Sequence, residues 1–126
     1  MLNVKIDTKE KFTVITPKEV HLTVNMTEEL CNLLLRFMQN GIPHVVLNMQ
    51  DVAAIDDSSG ERISDTQKQF YSKDCSFVIC GLQEEIETML TKKGLLETMN
   101  VTPSESEAWD IVQMEEIERE LLRGDE

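Results

Sequence analysis

Basic residues are scarce in this chain: 12 lysines and arginines stand against 24 aspartates and glutamates, for a formal net charge of −12. A surface this acidic is repelled by phosphate backbones and by anionic lipid, which argues against nucleic acid as a partner. Long apolar runs are missing too. No window approaches the roughly 20 apolar residues of a membrane-spanning helix, and no basic segment followed by an apolar stretch marks a signal peptide. A soluble cytoplasmic protein with no direct membrane insertion is expected. Cysteines number only three, Cys31, Cys75 and Cys80, an odd set without metal-ligand spacing. Cys31 falls in an apolar helical stretch and Cys80 ends an apolar strand, so they read as buried, inert thiols. His21 and His44 are the only histidines. There is no phosphate-cradling glycine loop and no Gly-x-Ser-x-Gly setting. Catalysis, a metal site and a cofactor are therefore not expected. Aromatics make up 5% of the chain against 40% hydrophobic residues overall, which fits an aliphatic core.

What is present suits one domain over residues 1–126, long enough to bury a core without disulfide or metal. Leu2, Val4 and Ile6 alternate with polar residues, as do Phe12 and Val14, and the polar run 8–11 between them predicts a hairpin with one wet face. Asn25 with Glu28 reads as a capping box for a helix that buries Leu30, Leu34, Phe37 and Met38 and stops near Gly41. Val45–Met49 and Ser76–Cys80 are apolar throughout, as strands covered on both faces are. Between them, 58–72 is helical by length but apolar only at Ile63, Phe70 and Tyr71. A third helix carries Leu82, Ile86, Met89 and Leu90 on one face and ends at Gly94. A short strand at 99–101 precedes a last helix, with Thr102 as cap and Pro103 in its first position. Ala108, Ile111 and Val112 should dock that helix on the sheet. The acidic helical tail from about 115 to 126 is either a docking extension or a frayed, solvated end, and the frayed reading is preferred. The fold class is α/β: a mixed sheet of four to five strands with helices packed against it, in the order ββαβαβαβα, joined by right-handed crossovers.

The most informative stretch is Asp57-Ser58-Ser59-Gly60, which places two adjacent hydroxyls between an apolar descent and a helix start. Ser58 with Glu61 fits a capping box, a plain structural role. The same position also suits a phosphate, which would add about −1.5 to −2 charges beside Asp56, Asp57 and Glu61. Asp56 and Asp57 together read as a solvated acidic turn rather than a Mg²⁺ site. His44 leads into a buried strand and reads as structural. His21, in the loop before the first helix, is either solvated or a partner contact.

The hairpin, the helix ending at Gly41, His44–Met49, Ile55-Asp56-Asp57-Ser58-Ser59-Gly60, Ser76–Leu82 and the Thr102-Pro103-Ser104 helix together resemble the STAS domain of bacterial anti-sigma-factor antagonists. The resemblance covers nearly the whole chain. It implies a STAS-like fold and a protein-binding module that sequesters an anti-sigma-factor serine kinase. It further implies that the kinase phosphorylates the first serine of the motif to break the complex, and that a PP2C-type phosphatase reverses this. Carried across by motif, the acceptor is Ser58, with Ser59 as substitute, and Asp56, Asp57, Ser59 and Gly60 shape the partner-binding loop. Members of the family usually carry one aspartate before the serines, whereas this chain has two. Superposing the flanking strands without gaps puts Asp56 at the motif aspartate and Asp57 at the acceptor position. The alternative is then a non-phosphorylated STAS scaffold or a soluble transporter subunit. The polar run beginning Glu61-Arg62 also departs from the apolar continuation usual in the family.

Overall fold

The computed structural model describes residues 1–124. The alternation at the N-terminus folds as expected: β1 (Val4–Thr8) and β2 (Thr13–Pro17) pair antiparallel, with Ile6 opposite Ile15. The chain continues through β3 (His21–Leu22), α1 (Val24–Met38), β4 (Val45–Asn48), β5 (Ala54–Ile55) and α2 (Ser59–Ser72). It closes with β6 (Phe77–Cys80), α3 (Glu84–Lys92), a 3₁₀ turn at Leu96–Thr98, β7 (Val101–Thr102) and α4 (Glu105–Gly124). The main sheet is mixed and five-stranded, in the order β1-β2-β4-β6-β7, with all pairs after β1–β2 parallel. β3 and β5 form a separate two-stranded parallel sheet that the sequence pattern does not reveal.

Side chains alternate across the main sheet. Ile15, Leu47 and Ile79 join the larger core beneath α1, α2 and α3, where Phe70 meets Phe77 edge-on at 5.1 Å. Val14, Val46 and Val78 face the other way, onto Ala108 and Val112 of α4. Cys31, Cys75 and Cys80 are buried and unpaired with one another, and burial pushes their thiols up, Cys80 to about 11.

Two helix starts differ from expectation. α1 is capped by Thr23, whose Oγ1 accepts from Met26 N at 3.2 Å, and Asn25 already lies in the first turn. Pairing of Leu22 with Ile55 holds the chain extended up to Thr23, so the helix begins there. At α4 the cap is Ser104, whose Oγ accepts from Glu107 N at 3.3 Å. Thr102 belongs to β7 and donates its hydroxyl to Ser104 O, leaving Pro103 outside the helix.

The expected tail is helical as far as Gly124, and its last turn is solvated, with Leu121, Leu122 and Arg123 exposed. Polar contacts hold the inner side of α4 as far as Arg119. Tyr71 Oη donates to Glu115 at 2.8 Å, and Arg119 Nη2 donates to Ser76 Oγ at 2.9 Å. The last two residues of the expected tail lie outside the described residues.

Candidate functional site

The turn between β5 and α2 is built on Asp56. Its backbone N–H donates to Leu22 O at 3.1 Å, continuing the β3–β5 pairing by one residue. That pairing brings two distant groups to its carboxylate: Val24 N donates to Oδ2 at 3.0 Å, and His21 Nε2 lies 2.7 Å from Oδ1. Asp56 therefore ties the turn to the start of α1, and His21 is engaged within the fold rather than free in a loop. Asp57, next in the chain, is exposed and makes no side-chain hydrogen bond among the described residues.

Ser58 is exposed and stands immediately before the helix. Its backbone is already helical, with φ −80° and ψ −10°, and its hydroxyl makes no capping bond. A capping side chain needs an extended backbone to turn back on its helix, so the expected box with Glu61 does not form. Glu61 instead pairs with Lys93 at 3.2 Å. A bond from its own backbone N–H, reinforced by Lys93, keeps its carboxyl below the usual range.

Ser59 has the opposite surroundings. It is 1% exposed, and the Thr27 hydroxyl of α1 donates to its Oγ at 2.8 Å. Gly60 presses on α3: a Cβ there would stand 2.8 Å from Leu90 Cδ2. These two residues wedge the start of α2 between α1 and α3, which leaves Asp57 and Ser58 as the exposed part of the motif.

Beside Ser58 opens a cleft of about 220 Å³ lined by Val24, Thr27, Glu28, Ser59 and Arg62. Arg62 is the feature that sequence reasoning missed. Its Nε donates to Glu28 at 2.7 Å and its Nη1 to Thr66 Oγ1 at 2.7 Å. The Glu28 contact raises the guanidinium further above its ordinary value. The available signal was its spacing, four residues after Ser58 and so on the same helix face. The site thus combines an exposed hydroxyl, an exposed apolar side chain at Val24, an acidic turn and one arginine. Among the described residues no three His, Cys, Asp or Glu side chains converge to hold a metal ion, and no helix is long and apolar enough to cross a membrane. His44 plays the structural role read from its position: its Nδ1 accepts from Ser76 N at 3.0 Å.

A family profile for the STAS domain matches residues 3–108. No curated protein matches the sequence. Among solved structures, a protein of Thermotoga maritima described as an anti-sigma factor antagonist superposes with a TM-score of 0.78 at 20% identity, over 87% of this chain and 94% of its own. An anti-sigma-factor antagonist (STAS) domain protein from Planctomyces limnophilus gives 0.74 at 18% identity, over 87% and 97%. The phosphorylated form of the Bacillus cell fate determinant SpoIIAA gives 0.64 at 14% identity, over 87% and 99%.

Proposed function

The chain belongs to the STAS domain family, and on that premise we propose that it is an anti-sigma-factor antagonist acting in the cytoplasm. In this reading it binds an anti-sigma-factor serine kinase through the face that carries Ser58, and phosphorylation of Ser58 ends the binding. A PP2C-type phosphatase restores it. The observation that carries the reading is the split between the two serines: Ser58 is exposed beside an open cleft, while Ser59 is buried against Thr27. A kinase needs a hydroxyl it can reach, and the burial of Ser59 argues against the substitute acceptor.

The switch would work by blocking a surface, without refolding. A partner covering the cleft meets the neutral Ser58 hydroxyl and the apolar Val24 side chain. A phosphate puts about −1.5 to −2 charges there. At an effective dielectric near 20 and ~5–8 Å, each like-charge pair with an acidic partner group costs roughly 2–3 kcal/mol. Affinity then falls by about thirty- to a hundred-and-fiftyfold. In the free protein Arg62 would share the phosphate with Glu28, which limits the cost of carrying it among Asp57 and Glu61.

One observation favours a second reading. Asp57 is exposed, like Ser58, and directly precedes it, so a partner reading the turn could treat it as a permanent negative charge. The protein would then be a fixed-state scaffold or a soluble transporter subunit. Phosphopeptide mapping after incubation with ATP and lysate of its own cells separates the two. A phosphate in the 57–60 turn that persists in Ser59→Ala and disappears in Ser58→Ala supports the switch. Its absence, with the kinase active on another antagonist, favours the scaffold.

A further inference from the structure

Exposed large apolar side chains are concentrated on α4. Met114 is 60% exposed, Ile117 56%, Leu121 66% and Leu122 71%. Met114, Ile117 and Leu121 follow i, i+3, i+7 spacing, which sets them in one stripe. At about 100° per residue this stripe lies away from Ala108 and Val112, which hold the helix to the sheet. It continues into a cleft of about 220 Å³ lined by Lys11, Trp109, Gln113, Glu116, Ile117 and Glu120, where the one basic group, Lys11, lies 3.9 Å from Glu116. Trp109 is stacked on Phe12 at 4.8 Å.

The charge around the stripe selects its occupant. α4 carries seven acidic residues and two arginines, and Arg119 is turned inward onto Ser76 Oγ. Asp110, Glu118 and Glu120 flank the apolar residues. Two such surfaces repel each other, which disfavours a second copy of this chain, and an anionic lipid surface is repelled in the same way. An apolar stripe with acidic flanks complements a helix with an apolar stripe and basic flanks. We propose that the outer face of α4 docks a basic amphipathic helix of a partner protein. Because the sheet lies between α4 and the helices around Ser58, this surface is separate from the phosphorylation site and does not depend on it.

Trp109 is the only tryptophan, so its fluorescence reports binding at this groove. The probe is a synthetic helical peptide with leucines along one face and lysines on the rest, compared with a counterpart carrying glutamates for the lysines. The lysine peptide should change the Trp109 emission saturably, and the glutamate peptide should not. The double variant Ile117→Ser, Leu121→Ser, checked for folding by circular dichroism, should bind about tenfold more weakly or worse. Ser58→Glu, on the opposite side of the sheet, should bind as the parent does. Equal affinity of parent and double variant, equal binding of both peptides, or no saturable binding would overturn the proposal. So would sedimentation showing a dimer of the parent that the double variant loses.

Discussion

Ser59→Ala removes the buried oxygen to which Thr27 donates at 2.8 Å, while Thr27 keeps its second acceptor, the carbonyl of Thr23. The expected loss is about 1 kcal/mol. Ser58→Ala removes a hydroxyl that caps nothing, so its unfolding free energy from urea titration should stay within about 0.5 kcal/mol of the parent. A capping Ser58 would reverse that ranking. His44 gives a pH dependence. Burial, aided by the Arg119 charge, lowers its pKa below 6.5, while Glu116 and Glu115 oppose the shift. In the fold its Nδ1 must stay unprotonated to accept from Ser76 N. The unfolded chain therefore takes up a proton first: this contribution is full above pH 6.5 and declines as pH falls from there toward the lower folded value. Urea midpoints of the parent should drop across that window, and those of His44→Gln should drop less. The motif residues were visible in the sequence, but their opposite burial was not. Which hydroxyl is covered depends on Thr27, and whether Arg62 is paired depends on Glu28, both more than thirty positions away.

At the scale of elements, α2 shows how a polar pattern misleads. Read alone, its residues 64–69 suggest a solvated face, yet Ser64, Thr66 and Gln67 are buried. Gln67 explains why. Its Nε2 donates to Phe77 O at 2.7 Å and to Asn100 O at 3.1 Å, and its Oε1 accepts from Asn100 N at 3.0 Å. One side chain thus joins α2 to β6 and to the approach to β7, where the short strands leave backbone groups without ladder partners. Gln67→Leu keeps the volume but strands Asn100 N and leaves Phe77 O only the 3.4 Å contact of Tyr71, while Asn100 O keeps Ile79 N; it should cost about 2–4 kcal/mol in denaturant unfolding. A loss under about 1 kcal/mol would mean that water replaces the amide. The longer strands and all four helices were legible because periodicity needs several residues to register. β3 and β5 are two residues each and give no period to read. The caps of α1 and α4 shifted for a related reason, since neighbouring strand pairing decides where a helix may begin. Beyond Val112 the hold of α4 on the domain is polar, through Glu115 and Arg119, and a hydrophobic pattern does not register such contacts.

For the whole molecule, charge is the dominant bulk property. The ion pairs among the described residues include Lys18–Asp51 at 2.8 Å and Arg62–Glu28 at 2.7 Å. Pairs at exposed positions such as these contribute little. A net charge of −12 leaves self-repulsion as the larger effect, and salt screens it. The thermal midpoint should therefore rise as sodium chloride increases from low to near-physiological concentration. A fall would mean that the ion pairs outweigh the repulsion.

The paired serines have one more consequence. A turn with two adjacent hydroxyls offers four states of modification, the unmodified one included, and an enzyme acting on it would have to choose between neighbours. Here the packing of Ser59 against α1 makes that choice beforehand. Only one position is open, so under the proposed switch the turn would store a single bit, and fidelity would come from the architecture of the substrate rather than from the discrimination of the modifying enzyme.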